Sequence, residues 1–155
     1  MMISARLLRT WLPAVAWMLL IFAASTDLMS AEHTSRFLEP VLRWLDPGIA
    51  PATVAAVQFG VRKLAHLTEY AILAALVARA LCNSLQTWQW RYAFLVVCIA
   101  AGYAALDEFH QSFVVSRTAS ARDVFIDSAG AIVGVLCYCK FAPRPRVAEA
   151  PRPIA

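Results

Sequence analysis

The chain has 155 residues, of which 61% are apolar and only 15% charged, with a mean hydropathy of +0.61 and a formal net charge of +4. Those values exclude an ordinary soluble domain. The basic excess comes without any nucleic-acid-binding motif and looks like a basic tail, so a nucleic-acid partner is set aside as well.

Four segments are long and apolar enough to cross a hydrocarbon core, which takes roughly 20 helical residues; they fall at about 7–25, 64–82, 88–106 and 124–142. The first follows Arg6 and flanks Arg9, as a signal peptide would, but the run is long and "STDLMSAEH" offers no small-x-small cleavage site. It is read as a retained span. In the long loop that follows, "RFLEPVLRWLDPG" sets Phe37, Leu38, Val41, Leu42 and Leu45 at three-and-four spacing, an amphipathic helix stopped by Asp46-Pro47-Gly48. Packing on the outer rim of the bundle is the favoured reading of that helix, and a membrane-surface helix is the alternative. A further helical start falls at Pro51, with Val54, Val57 and Val61 on one face before Lys63. The next loop, "NSLQTWQWRY", is short and carries Trp88, Trp90 and Tyr92 for an interfacial belt and Arg91 for headgroups. Residues 143–155, Pro- and Arg-rich, form a disordered tail. The expected architecture is therefore all-α: a polytopic membrane domain over 1–142 with four transmembrane helices and an amphipathic outer-loop helix.

Eight basic residues (Arg6, Arg9, Arg79, Arg91, Lys140, Arg144, Arg146, Arg152) lie inside if the N-terminus is cytoplasmic, against six outside, which favours both termini inside a bacterial inner membrane. Nearly all the acids then lie outside, with only Glu149 inside. Cys82, Cys98, Cys137 and Cys139 all fall on spans, so no disulfide framework is implied, and no ligand set surrounds the Cys137/Cys139 pair.

Polar residues gather at the span ends that share this outer side. Ser25-Thr26-Asp27 closes the first span, and Lys63, His66, Glu69 and Tyr70 open the second. The third ends in "DEFHQSFVVSR", with Asp107, Glu108, Gln111 and Arg117, and the fourth opens on Arg122, Asp123 and Asp127. Three-to-four spacing puts Lys63, His66 and Glu69 or Tyr70 on one face, Asp107 with Gln111, and Asp123 with Asp127. Ionisable groups facing lipid there cost several kcal/mol each, so these side chains are expected to face inward and pair, with Arg117, Arg122, Lys63 and His66 as counter-charges.

The blocks "RKLAHLTEYAILAAL" and "LDEFHQSFVVSRTASARDVFIDSAGAIVG" make the chain, over about residues 7–141, resemble the VanZ-like family. Lys63, His66, Glu69 and Tyr70 stand in a K-x-x-H-x-x-E-Y arrangement. Asp107, Glu108, Gln111, Arg117, Ser120, Asp123 and the Gly130/Gly134 pair stand at the family spacing. Asp127 occupies a position where Asn is more usual, and the usual Pro before Arg117 is absent. The resemblance implies a multi-pass envelope protein, some of whose relatives lower susceptibility to lipoglycopeptides; it implies no established reaction.

Three classes of function follow. The first is an outer-face site that binds or modifies an envelope lipid intermediate or a lipid-anchored antibiotic such as teicoplanin. In it His66, Glu69, Asp107 and Glu108 are the candidate acid-base groups, and Lys63, Tyr70, Gln111, Arg117, Arg122, Asp123 and Asp127 bind the ligand, for example an anionic headgroup. The second is a non-catalytic module whose charges form a structural lock, with Asp107 and Glu108 pairing to Arg117 and Arg122. The third, a small transporter, ranks last because the span middles are nearly charge-free and no repeat is evident. Enzyme and binding readings stay open: hydroxyls are present at Ser112, Ser116, Thr118 and Ser120, but no nucleophile motif surrounds them. Metal ligation by His66 with nearby carboxylates is a minority reading on generic spacing, and no cofactor is expected. Gly130-x-x-x-Gly134 favours close packing inside the bundle over dimerisation.

Overall fold

The computed structural model describes residues 2–26, 31–85, 88–114 and 120–142. Within them lie five helices, α1 (Met2–Ala24), α2 (Ala31–Leu45), α3 (Pro51–Leu85), α4 (Trp90–Gln111) and α5 (Ala121–Phe141), and no strand is found among the described residues. The helices α1, α3, α4 and α5 are each long and apolar enough to span a membrane. The tail at 143–155 lies outside the described residues.

One boundary differs from the sequence reading. The helix starting at Pro51 and the second span are a single 35-residue helix, α3. No proline follows Pro51 within it, and a lone Gly60 costs only about 1 kcal/mol of helix propensity, too little to break it. At about 1.5 Å per residue α3 is roughly 52 Å long, against a hydrocarbon core of about 30 Å, so one end projects well beyond the apolar layer. Helix α4 includes Asp107, Glu108 and Gln111 in its last turns, where the sequence reading places them.

Helix α3 is the hub on which α1, α2, α4 and α5 all pack, its most extensive seam being with α5. That seam is set by two glycines. A Cβ on Gly130 would run into the Leu67 carbonyl and lie 3.0 Å from Leu67 Cα, and one on Gly134 would meet the Ala71 carbonyl, with Ala71 C only 2.7 Å away. The helices therefore touch backbone to backbone, as the small-residue spacing implies. The rest of the core is also small: Ala74, Ala78, Ala93, Ala100, Ala104 and Ala131 are buried beside Leu73, Val77, Val96 and Val135. Large apolar side chains point the other way, Phe94, Leu106, Phe125 and Leu136 among them, with Phe125 76% exposed. Such an apolar exterior around a small-residue interior is what a lipid-facing bundle requires.

Helix α2 packs against α3 but keeps Phe37, Val41, Trp44 and Leu45 exposed. Rim packing thus accounts for only part of its apolar face, and the remainder suits a helix lying in the membrane interface. Two long-range ties fix α1: Trp17 Nε1 donates to the Glu69 carbonyl at 2.9 Å, and the Tyr103 hydroxyl donates to the Met18 carbonyl at 2.5 Å.

Candidate functional site

The C-terminal end of α1, the last turns of α4, the first turns of α5 and the stretch of α3 around His66 converge at one end of the bundle. The side chains that meet there are almost all polar, and Ser25, His66, Asp107, Glu108, Gln111, Asp123 and Asp127 are all buried. Tyr70, 0% exposed, forms the floor toward the apolar core.

Local structure explains each placement. The Ser120 hydroxyl caps α5, accepting from the Arg122 backbone N–H, so helical φ/ψ begins at Ala121. At about 100° per residue, Asp123 and Asp127 then share the inward face while Arg122 points outward, and it is exposed. On α4, Asp107 and Gln111 are one turn apart and joined directly: Gln111 Nε2 donates to Asp107 Oδ2 at 3.0 Å. The same oxygen accepts from Ser25 Oγ of α1 at 2.7 Å. Neighbouring Glu108 reaches across to α5 and accepts the Ser120 backbone N–H at 2.8 Å. Lys63 of α3 forms an ion pair with Asp123 of α5. One turn deeper His66 Nδ1 lies 3.3 Å from Asp127 Oδ1, within ion-pair range but not aligned as a hydrogen bond.

Two consequences follow for the expected pairings. Among the described residues Asp107 and Glu108 are held by neutral donors: no ion pair joins Arg122 to either, and the expected Arg117 pairing lies outside the described residues. The lysine or arginine that enters the cluster, among the described residues, is Lys63. Within the K-x-x-H-x-x-E-Y pattern, Lys63, His66 and Tyr70 face the cluster, whereas Glu69 sits one step round the helix. It borders an apolar lateral groove of about 360 Å³ with Trp17, Val61, Leu64, Ala65, Thr68 and Ile72. Ser25, absent from the residues singled out for the site, is a direct ligand of Asp107; its position at the polar end of an apolar run was the available signal.

Several buried atoms remain without a hydrogen-bond partner among the described residues: His66 Nδ1, Tyr70 Oη, Asp107 Oδ1, Glu108 Oε1 and both carboxylate oxygens of Asp127. His110 Nδ1, beside the Phe22 ring with which its imidazole stacks at 4.4 Å, is another. An unsatisfied buried polar group costs about 1–3 kcal/mol, so a purely structural lock would be expected to close more of these valences. No three His, Cys, Asp or Glu side chains among the described residues are grouped so as to hold a metal ion.

Fold and site together define a polytopic helical membrane protein whose bundle carries a buried, carboxylate-rich polar cluster at one end. Residues 10–142 match the VanZ/LLP1 family, and the chain belongs to it. The matched region takes in every member of the cluster, from Ser25 on α1 to Asp127 on α5. No curated protein and no solved structure matches the chain.

Proposed function

We propose that the cluster is a ligand site on the outer face of the bacterial cell membrane, with both termini cytoplasmic. Its ligand is the polar head of a membrane-borne amphiphile, either an envelope lipid intermediate or a lipid-anchored lipoglycopeptide such as teicoplanin. The observation that carries this reading is the set of buried polar atoms on His66, Tyr70, Asp107, Glu108 and Asp127 that make no hydrogen bond among the described residues. Intramembrane ionisable groups are retained against their desolvation cost chiefly where they work on something. His66 beside Asp127 is the pair suited to moving a proton, since a carboxylate at one imidazole nitrogen orients the other for exchange with a ligand.

A structural network is the competing reading, favoured by the Ser25–Asp107–Gln111 bonds and the Lys63–Asp123 pair, which join α1 to α4 and α3 to α5. Lipid profiling of the purified protein separates the two. A lipid that co-purifies with wild type but not with equally folded His66→Ala or Asp127→Asn supports a ligand site; an unchanged lipid profile supports the network.

A further inference from the structure

The ligand-site reading can be taken one step further, to the chemistry of the ligand, because the cluster is unbalanced in a specific way. Ionised carboxylates only accept hydrogen bonds. Asp107 uses Oδ2 for Ser25 and Gln111, and Glu108 uses Oε2 for Ser120, which leaves Asp107 Oδ1, Glu108 Oε1 and Asp127 Oδ2 open among the described residues, while Asp127 Oδ1 faces His66 Nδ1 at 3.3 Å. Against these acceptors the described donors are few. Lys63 is taken by Asp123, Gln111 by Asp107, and Arg122 is exposed. The Tyr70 hydroxyl, fully buried and without a hydrogen-bond partner among the described residues, lies one helical turn from His66 on the same face of α3. Charge among the described residues is unbalanced in the same sense: Asp107, Glu108, Asp123 and Asp127 stand against Lys63 and His66.

What the cluster lacks among the described residues is therefore positive charge together with N–H donors. A phosphate or carboxylate would add acceptors and negative charge to a place already oversupplied with both. A quaternary ammonium brings charge without donors and is held by aromatic faces, whereas the open atoms here are carboxylate oxygens that call for N–H donors. A primary ammonium supplies one charge and three donors from a single atom. Side-chain exposure falls from 24% at Lys63 to 8% at Asp123 and 1% at Asp127, so the Lys63–Asp123 pair is nearer the surface than the His66–Asp127 pair.

We propose that the buried cluster between α3, α4 and α5 binds a primary ammonium group, with Asp107, Glu108 and Asp127 as its acceptors and the Tyr70 hydroxyl as a further contact. This rests on the ligand-site reading above. The group can be presented by an aminolipid headgroup or by a free amine.

The test is retention of lipid by the full-length protein in nanodiscs of mixed phosphatidylethanolamine and phosphatidylglycerol. It is repeated with the N-methyl, N,N-dimethyl and N,N,N-trimethyl headgroups, which keep the charge while removing donors one at a time. Loss of a donor to a charged acceptor weakens binding by about tenfold, so retention should fall stepwise along the series and phosphatidylglycerol should not be enriched. Tyr70→Phe and Asp127→Asn, checked for unchanged helical content, should both reduce retention of phosphatidylethanolamine. Displacement by free ethanolamine would assign the site to a soluble amine; resistance to it would assign the site to the lipid. Enrichment of phosphatidylglycerol that depends on Asp127 would overturn the ammonium assignment while leaving a ligand site. Retention that is indifferent to headgroup and to every variant would overturn both.

Discussion

Placing a methyl group on Gly134 sets two well-measured effects against each other. In a helix interior Ala is favoured over Gly by about 0.8–1.0 kcal/mol, so propensity alone makes Gly134→Ala stabilising. The added Cβ, however, would sit against the Ala71 carbonyl of α3, with Ala71 C at 2.7 Å and Cα at 2.8 Å. The obstacle is backbone, so no rotamer change relieves it, and α5 must back away from α3 along their main seam. Overpacking costs about 1–3 kcal/mol, and a backbone obstacle belongs at the upper end, which leaves a net loss of about 2 kcal/mol. The movement reaches the site as well, because Gly130 lies one turn from Asp127 while its obstacle Leu67 adjoins His66, and those two side chains are only 3.3 Å apart. Gly102→Ala is the control: nothing lies within 4 Å of its Cβ, and it should be neutral or stabilising. Unfolding of the detergent-purified variants in graded SDS, followed by circular dichroism, measures the difference. If Gly130→Ala and Gly134→Ala match or exceed wild type while Gly102→Ala behaves no differently, the backbone-contact account of the α3–α5 seam is wrong.

The ion pair makes a companion prediction: a double-mutant cycle of Lys63→Met with Asp123→Asn should give a coupling of about 1–3 kcal/mol, whereas Arg122→Gln with Asp107→Asn should be additive within about 0.5 kcal/mol. Coupling in the second cycle instead of the first would restore the arginine lock. Ser25→Ala leaves Asp107 Oδ2 with Gln111 as its described donor and should cost about 1.5–3 kcal/mol, the range for hydrogen bonds to charged groups; a loss below that range in the same SDS titration would mean the bond does not form in the membrane. For orientation, a cysteine at position 48 in a background free of native cysteines should react with an impermeant maleimide on intact cells, and one at position 89 should not. Labelling of 89 alone would invert the topology.

The spans were legible because lipid imposes a coarse rule that hydropathy reads well. The continuity of α3 was not, since the polar turn at Arg62-Lys63 looks like an end when only apolar runs are counted, although nothing there breaks a helix. Convergence of Lys63, His66, Asp107, Asp123 and Asp127 could be read from helical spacing and an up-down order. Partner choice could not. Glu69 and Tyr70 compete for the same inward face at three and four residues from His66, and only the roll of α3 against α5 decides for Tyr70. Arg122 and Asp123 are adjacent, so which of them turns inward depends on the helix starting at Ala121 under the Ser120 cap, a boundary too fine for periodicity. Gln111 shares a face with Asp107 by spacing alone, but Ser25 as its other partner was hidden for a different reason: a search for counter-charges passes over neutral donors, which satisfy a buried carboxylate without a second desolvated ion.

The central claim is that these buried groups act on a ligand rather than merely hold the helices together. Lys63→Met, His66→Ala, Tyr70→Phe, Asp107→Asn and Asp127→Asn, expressed singly in a host lacking the protein, allow susceptibility to lipoglycopeptide to be scored and divided by the amount of protein in the membrane. The account predicts that normalised resistance collapses for these variants while Gly102→Ala keeps the wild-type value. Resistance that falls only in proportion to protein abundance, at every one of these positions, would contradict it.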